Sequence, residues 1–183
     1  VFNQFKDKPE EFIIRAAAII NDEKATAVIQ HITYNALEDR YETDIFTEPT
    51  IKGKLGMNAM KAKRHLYDHI VYDSTNEQKF AEQLDTNKDV AVYVKLPSGF
   101  YISTPVGKYN PDWAIAFYEG SVKHIYFVAE TKGTLDTMKL NHITPTEQAK
   151  IDCAKAHFRA ISTDDVIYSV VDSYQALLEK VMK

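Results

Sequence analysis

Three ionisable residues, Asp112, Glu130 and Lys132, stand at or beside the ends of two otherwise apolar runs, Trp113 to Phe117 and Ile125 to Ala129. Charge in that position needs a reason. The runs are separated by Glu119-Gly120-Ser121-Val122-Lys123, a hairpin signature, and an antiparallel pair with its turn centred near residue 121 has partners whose numbers sum to about 242. Asp112 then falls opposite Glu130, with Cβ atoms about 5 Å apart on one face. Strand alternation brings Lys132 to that same face. Two carboxylates held so close repel each other unless a proton or a cation lies between them, and a divalent metal answers this economically. Oxygen ligands suit Mg²⁺ or Mn²⁺, and an ion held by one or two protein carboxylates keeps positions for water and a phosphate oxygen. Lys132 would stabilise charge on the phosphate, or orient and deprotonate the attacking water. The chemistry is metal-assisted phosphodiester hydrolysis. The competing reading is a structural ion pair, with one acid neutralised by Lys132 at a sheet edge.

Other residues invite weaker chemical readings. No acidic residue falls between Glu48 and Asp68, while Lys52, Lys54, Lys61, Lys63 and Arg64 are spaced around Gly53 and Gly56. That stretch reads either as a mobile basic arm for phosphates or as a solvated loop. His65 and His69 have the spacing of two metal ligands on one helix face, with no third ligand evident. Cys153 and His157 have the same spacing, but Ala154, Ala156 and Phe158 beside them argue for packing. Lys150 could reach a phosphate, although a solvated lysine is the better reading. Trp113 alternates to the face opposite Asp112, which favours core packing over base stacking.

The elements that must position these groups are written with differing clarity. Pro9-Glu10-Glu11, followed by Phe12, Ile13, Ala16, Ala17, Ile19 and Ile20, predicts an amphipathic helix over 9–22, ended by Asn21. The segment from Thr26 to Tyr34 reads as a strand or a second helix. Asp73 to Glu77 reads as a capped helix start, with Phe80, Ala81 and Leu84 on the helix that follows. Strands are predicted at Val90 to Leu96, Phe100 to Thr104, Asp112 to Tyr118 and His124 to Glu130. Pro97-Ser98-Gly99 forms a turn and Pro105 to Pro111 a connection. The near-continuous apolar character of the last two strands places them mid-sheet, covered on both faces. Thr144-Pro145-Thr146-Glu147 is a capping box with proline at the first helical position, opening a helix to about Phe158. Val166 to Val171 is a last strand. Asp172 to Met182 is a closing helix with Tyr174, Leu177 and Leu178 inward.

The frame for these elements is an α/β (α+β) domain. With 183 residues, 45% hydrophobic and 26% charged, the chain is long enough for one core and too ordered in composition to be disordered or repetitive. No apolar run approaches the roughly 18 residues that cross a bilayer. A formal net charge of -4 argues against a protein whose whole affinity comes from neutralising phosphates. The single cysteine, Cys153, fits a reducing compartment, and a start at Val1-Phe2 without a methionine suggests a piece of something longer.

Asn110-Pro111-Asp112, followed by Glu130-Thr131-Lys132, resembles the signature of the PD-(D/E)XK nuclease superfamily. A longer set of segments is more specific. Tyr93-Val94-Lys95-Leu96-Pro97, Thr104 to Ala114, Ala129 to Gly133 and Ala154 to Phe158, joined upstream by His31 to Asn35 and Asp73 to Glu77, resemble the C-terminal endonuclease domain of the restriction subunit of Type III restriction-modification enzymes. The resemblance implies a restriction-endonuclease-like core, a mixed central sheet flanked by helices, over 73–183, with a helical and extended N-terminal region over 1–72. It implies Asp112, Glu130 and Lys132 as catalytic residues, with Asp112 and Glu130 as ligands of Mg²⁺, for which Mn²⁺ substitutes. Glu77 is the matching candidate for a further acidic metal ligand on an early helix. Double-stranded DNA is the implied substrate, met in the bacterial cytoplasm. The implied partners are a methyltransferase subunit that recognises the site and an ATP-driven helicase-like motor upstream. This chain has no Gly-X-X-X-X-Gly-Lys-Ser/Thr segment, so ATP is expected to be used by the motor and not bound here. A non-catalytic docking or DNA-gripping module, and a repair or junction nuclease of the same superfamily, are the alternatives.

Overall fold

The computed structural model describes residues 2–29, 32–34, 46, 53–118, 125–128, 144–161, 166–171 and 173–181. Two helices open the chain, α1 (Phe2–Asp7) and α2 (Pro9–Ile29). α2 starts where Pro9 and the two glutamates place it, but continues past Asn21. The residues after Asn21, Glu23-Lys24-Ala25-Thr26-Ala27, include neither glycine nor proline, so a single weak helix former does not end it. Of the two readings of Thr26 onward, the helical one holds as far as Ile29, and Ile32 to Tyr34 is irregular. The inward apolar face expected of α2 is not covered among the described residues: Ile13, Ile14, Ile19 and Ile20 are about 60–70% exposed, at 59%, 69%, 64% and 64%. The reason is where α2 docks. It packs on a later helix, with Ala25 fully buried and Asp22 Oδ1 accepting from the Thr146 hydroxyl at 2.6 Å.

The basic stretch forms a hairpin, with β1 (Ala59–Lys61) paired antiparallel to β2 (His69–Val71). Gly53 lies against it so closely that a Cβ would come within 2.7 Å of Val71 Cγ2. The glycine answers packing. Ala62 and Ile70 from this hairpin bury in the same cluster as the central sheet.

α3 (Thr75–Thr86) begins at Ser74, whose hydroxyl accepts from Glu77 N while Glu77 Oε2 accepts from Asp73 N at 2.8 Å, a reciprocal cap. The strands that follow are β3 (Val90–Lys95), β4 (Ile102–Thr104), β5 (Gly107–Tyr109), β6 (Trp113–Phe117) and β7 (Ile125–Val128). The expected second strand does not join the central sheet. β4 pairs with β5, inside the segment expected to be only a connection, and Gly107 closes that ribbon at φ +113°, a conformation side chains oppose. Then come α4 (Pro145–Ile161), β8 (Val166–Ser169) and α5 (Tyr174–Val181). The Thr144 and Glu147 cap opens α4 as expected.

The central sheet has the order β3-β6-β7-β8, antiparallel except for β8, which runs parallel to β7 after the α4 crossover. Along β6 burial alternates, with Trp113, Ile115 and Phe117 buried against Phe80, Ala81 and Leu84 of α3 and Leu177 and Val181 of α5. α4 covers the ribbon and β8, joining Ala154 and Phe158 to Ile102, Tyr109 and Tyr168. This is the expected mixed sheet flanked by helices. Among the described residues no helix is long and apolar enough to cross a membrane.

Candidate active site

One end of the sheet collects the end of β3, the start of β6 and the ends of β7 and β8, because Lys95 pairs with Trp113, Trp113 with Val128 and Val128 with Ser169. Asp112 stands at that end, one residue before β6. Its position is held from three sides. The Asp112 carbonyl accepts from Leu96 N at 2.8 Å, Pro111 is fully buried, and the Asn110 carboxamide donates to the carbonyls of Ser98 at 3.0 Å and Phe100 at 2.6 Å. Asn110 therefore ties the turn after β3 to the backbone that presents Asp112. In Asn110→Ala both carbonyls would lose their protein donor, with an expected stability loss of about 1 kcal/mol, read from the urea midpoint; no loss would show that the clamp is slack.

The β6–β7 register corrects one expectation. The observed pairs sum to 241, since Trp113 faces Val128 and Ala116 faces Ile125. The turn centre was read one half-residue too far along, and hairpin register depends on turn geometry that Glu119 to Lys123 does not specify. The arithmetic that set Asp112 directly against Glu130 therefore does not hold over the observed ladder. Glu130 and Lys132 themselves lie outside the described residues, as does Lys52.

Glu77 sits at the same end of the fold, but its carboxylate is engaged. Besides capping α3, its Oε2 accepts from Lys95 Nζ at 2.7 Å, and Lys95 Nζ also donates to Asp73 Oδ2 at 2.6 Å. Burial alone would lower the Lys95 pKa, but the hydrogen bonds and charges of Asp73 and Glu77 outweigh it and hold it above its ordinary value. The ammonium neutralises the site where a metal ligand was expected. Among the described residues no three His, Cys, Asp or Glu side chains gather as a metal cluster. Asp112 supplies the hard oxygen donors that suit Mg²⁺, whereas Glu77 would first have to release Lys95. Replacing Glu77 with Gln should lower stability by about 1–2 kcal/mol in chelator, through the lost ion pair. A Glu77→Gln protein of parent stability would contradict that structural role.

The two His/X pairs resolve as packing. His65 is not on a helix: it lies in the β1–β2 turn, 9% exposed, with Nδ1 at 3.2 Å from the Tyr67 carbonyl. Its Nε2 accepts from Lys95 N at 3.2 Å, and Tyr67 N approaches Nδ1 at the same distance. Residues 64–66 thereby cover the outer edge of β3, with Tyr93 N bonded to the Arg64 carbonyl at 3.0 Å and Leu66 N to the Tyr93 carbonyl at 2.9 Å. Sequence reading missed this role for His65. Its only local sign was a histidine followed by Leu66 and Tyr67. Cys153 is buried, and His157 packs edge-on to Tyr34, with ring centroids 5.2 Å apart. Burial depresses the pKa of both His65 and His157 below the usual 6.5. The unfolded chain then binds more protons than the folded one just below that value. Stability contributed by the neutral rings is complete above about pH 6.5 and is lost as pH falls toward the folded pKa values. The urea midpoint should drop between about pH 7.5 and 5.5, and less steeply in His65→Gln; equal slopes would exclude His65 as a source.

The basic candidates separate. Lys54, Lys61 and Lys63 are exposed. Arg64 is half-buried, its guanidinium donating to the Val90 carbonyl at 2.7 Å and its backbone N–H to Asp85 at 2.7 Å, so it serves the fold. Lys150 is half-buried on α4 beside Gly107. Trp113 is fully buried against Phe80 and Tyr93, as its place in the strand predicts.

A family model described as an endonuclease domain matches residues 63–174, a span that runs from the β1–β2 turn to the start of α5 and contains Asp112, Glu130 and Lys132. No curated protein and no solved structure matches the chain.

Proposed function

Because this chain belongs to the endonuclease-domain family, a restriction-endonuclease type of nuclease domain, we propose that it cleaves double-stranded DNA by metal-dependent phosphodiester hydrolysis, as the nuclease of a Type III restriction enzyme. The observation that carries this reading is Asp112, pinned by Leu96, Pro111 and Asn110 at a sheet end within the matched segment. Asp112 and Glu130 would hold a Mg²⁺ ion, with Mn²⁺ as a substitute. A bound ion of that kind acidifies water and offsets charge developing on the phosphate. Lys132 would contribute positive charge to the phosphate and would hold or move a proton of the attacking water. Lys95 keeps Glu77 neutralised and α3 seated against the end of β3. Lys52, Lys54, Lys61 and Lys63 supply backbone attraction, and the net acidity is tolerated because recognition and translocation belong to a methyltransferase subunit and an ATP-driven motor elsewhere in the bacterial enzyme.

The test is nicking of supercoiled plasmid by this chain with Mg²⁺ or Mn²⁺, with chelator as blank, and then the same assay in the assembled restriction complex. Metal-dependent nicking in either supports the reading. A complex that translocates yet never cuts would favour a non-catalytic docking module.

A further inference from the structure

Beside the edge strand β8, on α4 and α5, lies a second group of cations that no part of the cleavage chemistry uses. A cleft of roughly 440 Å³ runs between β8, the C-terminal half of α4 and the end of α5, lined by Lys155, Arg159 and Lys180 together with Tyr168 and Ser169. Among the described residues no carboxylate lines it. Asp152 pairs with Lys155 Nζ at 3.1 Å from one side, and Glu179 precedes Lys180 in the chain. Lys180 is fixed rather than free to swing, donating to Ser169 Oγ at 2.7 Å and to the Val170 carbonyl at 2.6 Å. Arg159 is exposed and makes no ion pair with any described residue. The floor is rigid as well: Phe158 stacks on Tyr168 with ring centroids 5.0 Å apart, and the Tyr168 hydroxyl bonds that of Tyr109 at 2.7 Å.

Three cations around an aromatic floor, without an acid among the described lining residues, form a site for an anion. The register says which one. Ser169 pairs with Val128 and Val128 with Trp113, so the rim of the cleft lies at the same sheet end as Asp112, two strand spacings or about 10 Å away. Along one strand of duplex DNA that distance is about three nucleotides of rise. We propose that this cleft is a phosphate-binding subsite that grips the DNA backbone a few nucleotides from the bond to be cut. The proposal rests on the endonuclease reading for its ligand. Backbone contacts of this kind fix the register of DNA on a protein without reading its sequence.

The test measures binding rather than cutting. Fluorescence anisotropy of a labelled duplex is followed in chelator across a salt series, for the parent chain, Arg159→Gln, Lys155→Gln and their double variant. Lys88→Gln, at the opposite end of the sheet before β3, is the control, and Lys180 is left intact because it supports β8. Each phosphate contact contributes about 0.9 to the slope of log K against log salt, so the double variant should lose between one and two units while the control keeps the parent slope. An unchanged slope in the double variant, or an equal loss in the control, overturns the subsite. Thermal stabilisation by inorganic phosphate that the double variant loses, with the duplex slope intact, would mark a small-anion site and equally overturn it. Because no cleavage is read, a reduced slope in a protein whose assembled complex translocates yet never cuts would sink the endonuclease reading and leave the subsite standing.

Discussion

Asp112→Asn is expected to abolish metal-dependent DNA cleavage while leaving the fold intact. The substitution keeps shape and removes charge, and the residue stands outside the β6 ladder, where its side chain is not needed to fill the core. The backbone contacts that hold it, from Leu96 N to its carbonyl and from Asn110 to the preceding turn, do not depend on the carboxylate. Loss of a charged group aimed at the reacting phosphate or its metal costs on the order of 100- to 1,000-fold or more. Lys132→Ala should fall as far, for loss of the positive charge at the phosphate. A nicking assay beside a thermal melt separates the two effects, and a variant of parent activity would remove its residue from the site. The metal-free protein adds a second readout. If Asp112 and a second carboxylate share a cation site, Asp112→Ala relieves their repulsion, stabilises the chain in chelator and removes its stabilisation by Mn²⁺. A structural ion pair requires the reverse, destabilisation in chelator with the Mn²⁺ response unchanged.

The largest stability effect is expected at Trp113. Its ring is fully buried, with centroids 5.6 Å from Phe80 of α3 and 6.2 Å from Tyr93 of β3, so it joins helix to sheet at the centre of the core. Trp113→Ala should cost about 3–5 kcal/mol, the usual loss for emptying an aromatic site that cannot collapse. Trp113→Phe should cost distinctly less, because the indole N–H is buried with no hydrogen-bond partner among the described residues and Phe removes that donor. Urea midpoints order the three proteins. A phenylalanine variant as unstable as the alanine one would show that the indole shape, and not its volume, is what the site requires.

The two variants probe neighbouring residues at the start of β6, and they show how much of this protein is legible in its sequence. Alternation along Trp113 to Phe117 placed the core face correctly, and the capped entry at Asp73 to Glu77 and the Thr144/Glu147 box marked two helix starts. These are local signals, carried by side chains within a turn or a strand of each other. The hairpin register was one residue off, because a loop of unmarked conformation sets it. The second strand of the β-rich region is legible as a strand but its partner is not: it folds on β5, within a segment that reads in sequence only as a connection, through a tight turn at Gly107. The apolar residues of α2 predicted a covered face, yet periodicity says nothing of whether a neighbour is there to cover it.

Glu77 and His65 mark the boundary most sharply. From the sequence by itself follow the acidic and basic types at the candidate site, the helix caps, the strand that carries Asp112 and the endonuclease resemblance, since each depends on residues close together in the chain. Only the tertiary structure decided that Glu77 is claimed by Lys95, that His65 closes the edge of β3 by accepting from Lys95 N, and that the cations of α4 and α5 meet across β8. Each of those contacts joins groups many residues apart. Which charge neutralises which is settled by the strand order and helix crossover that bring them together.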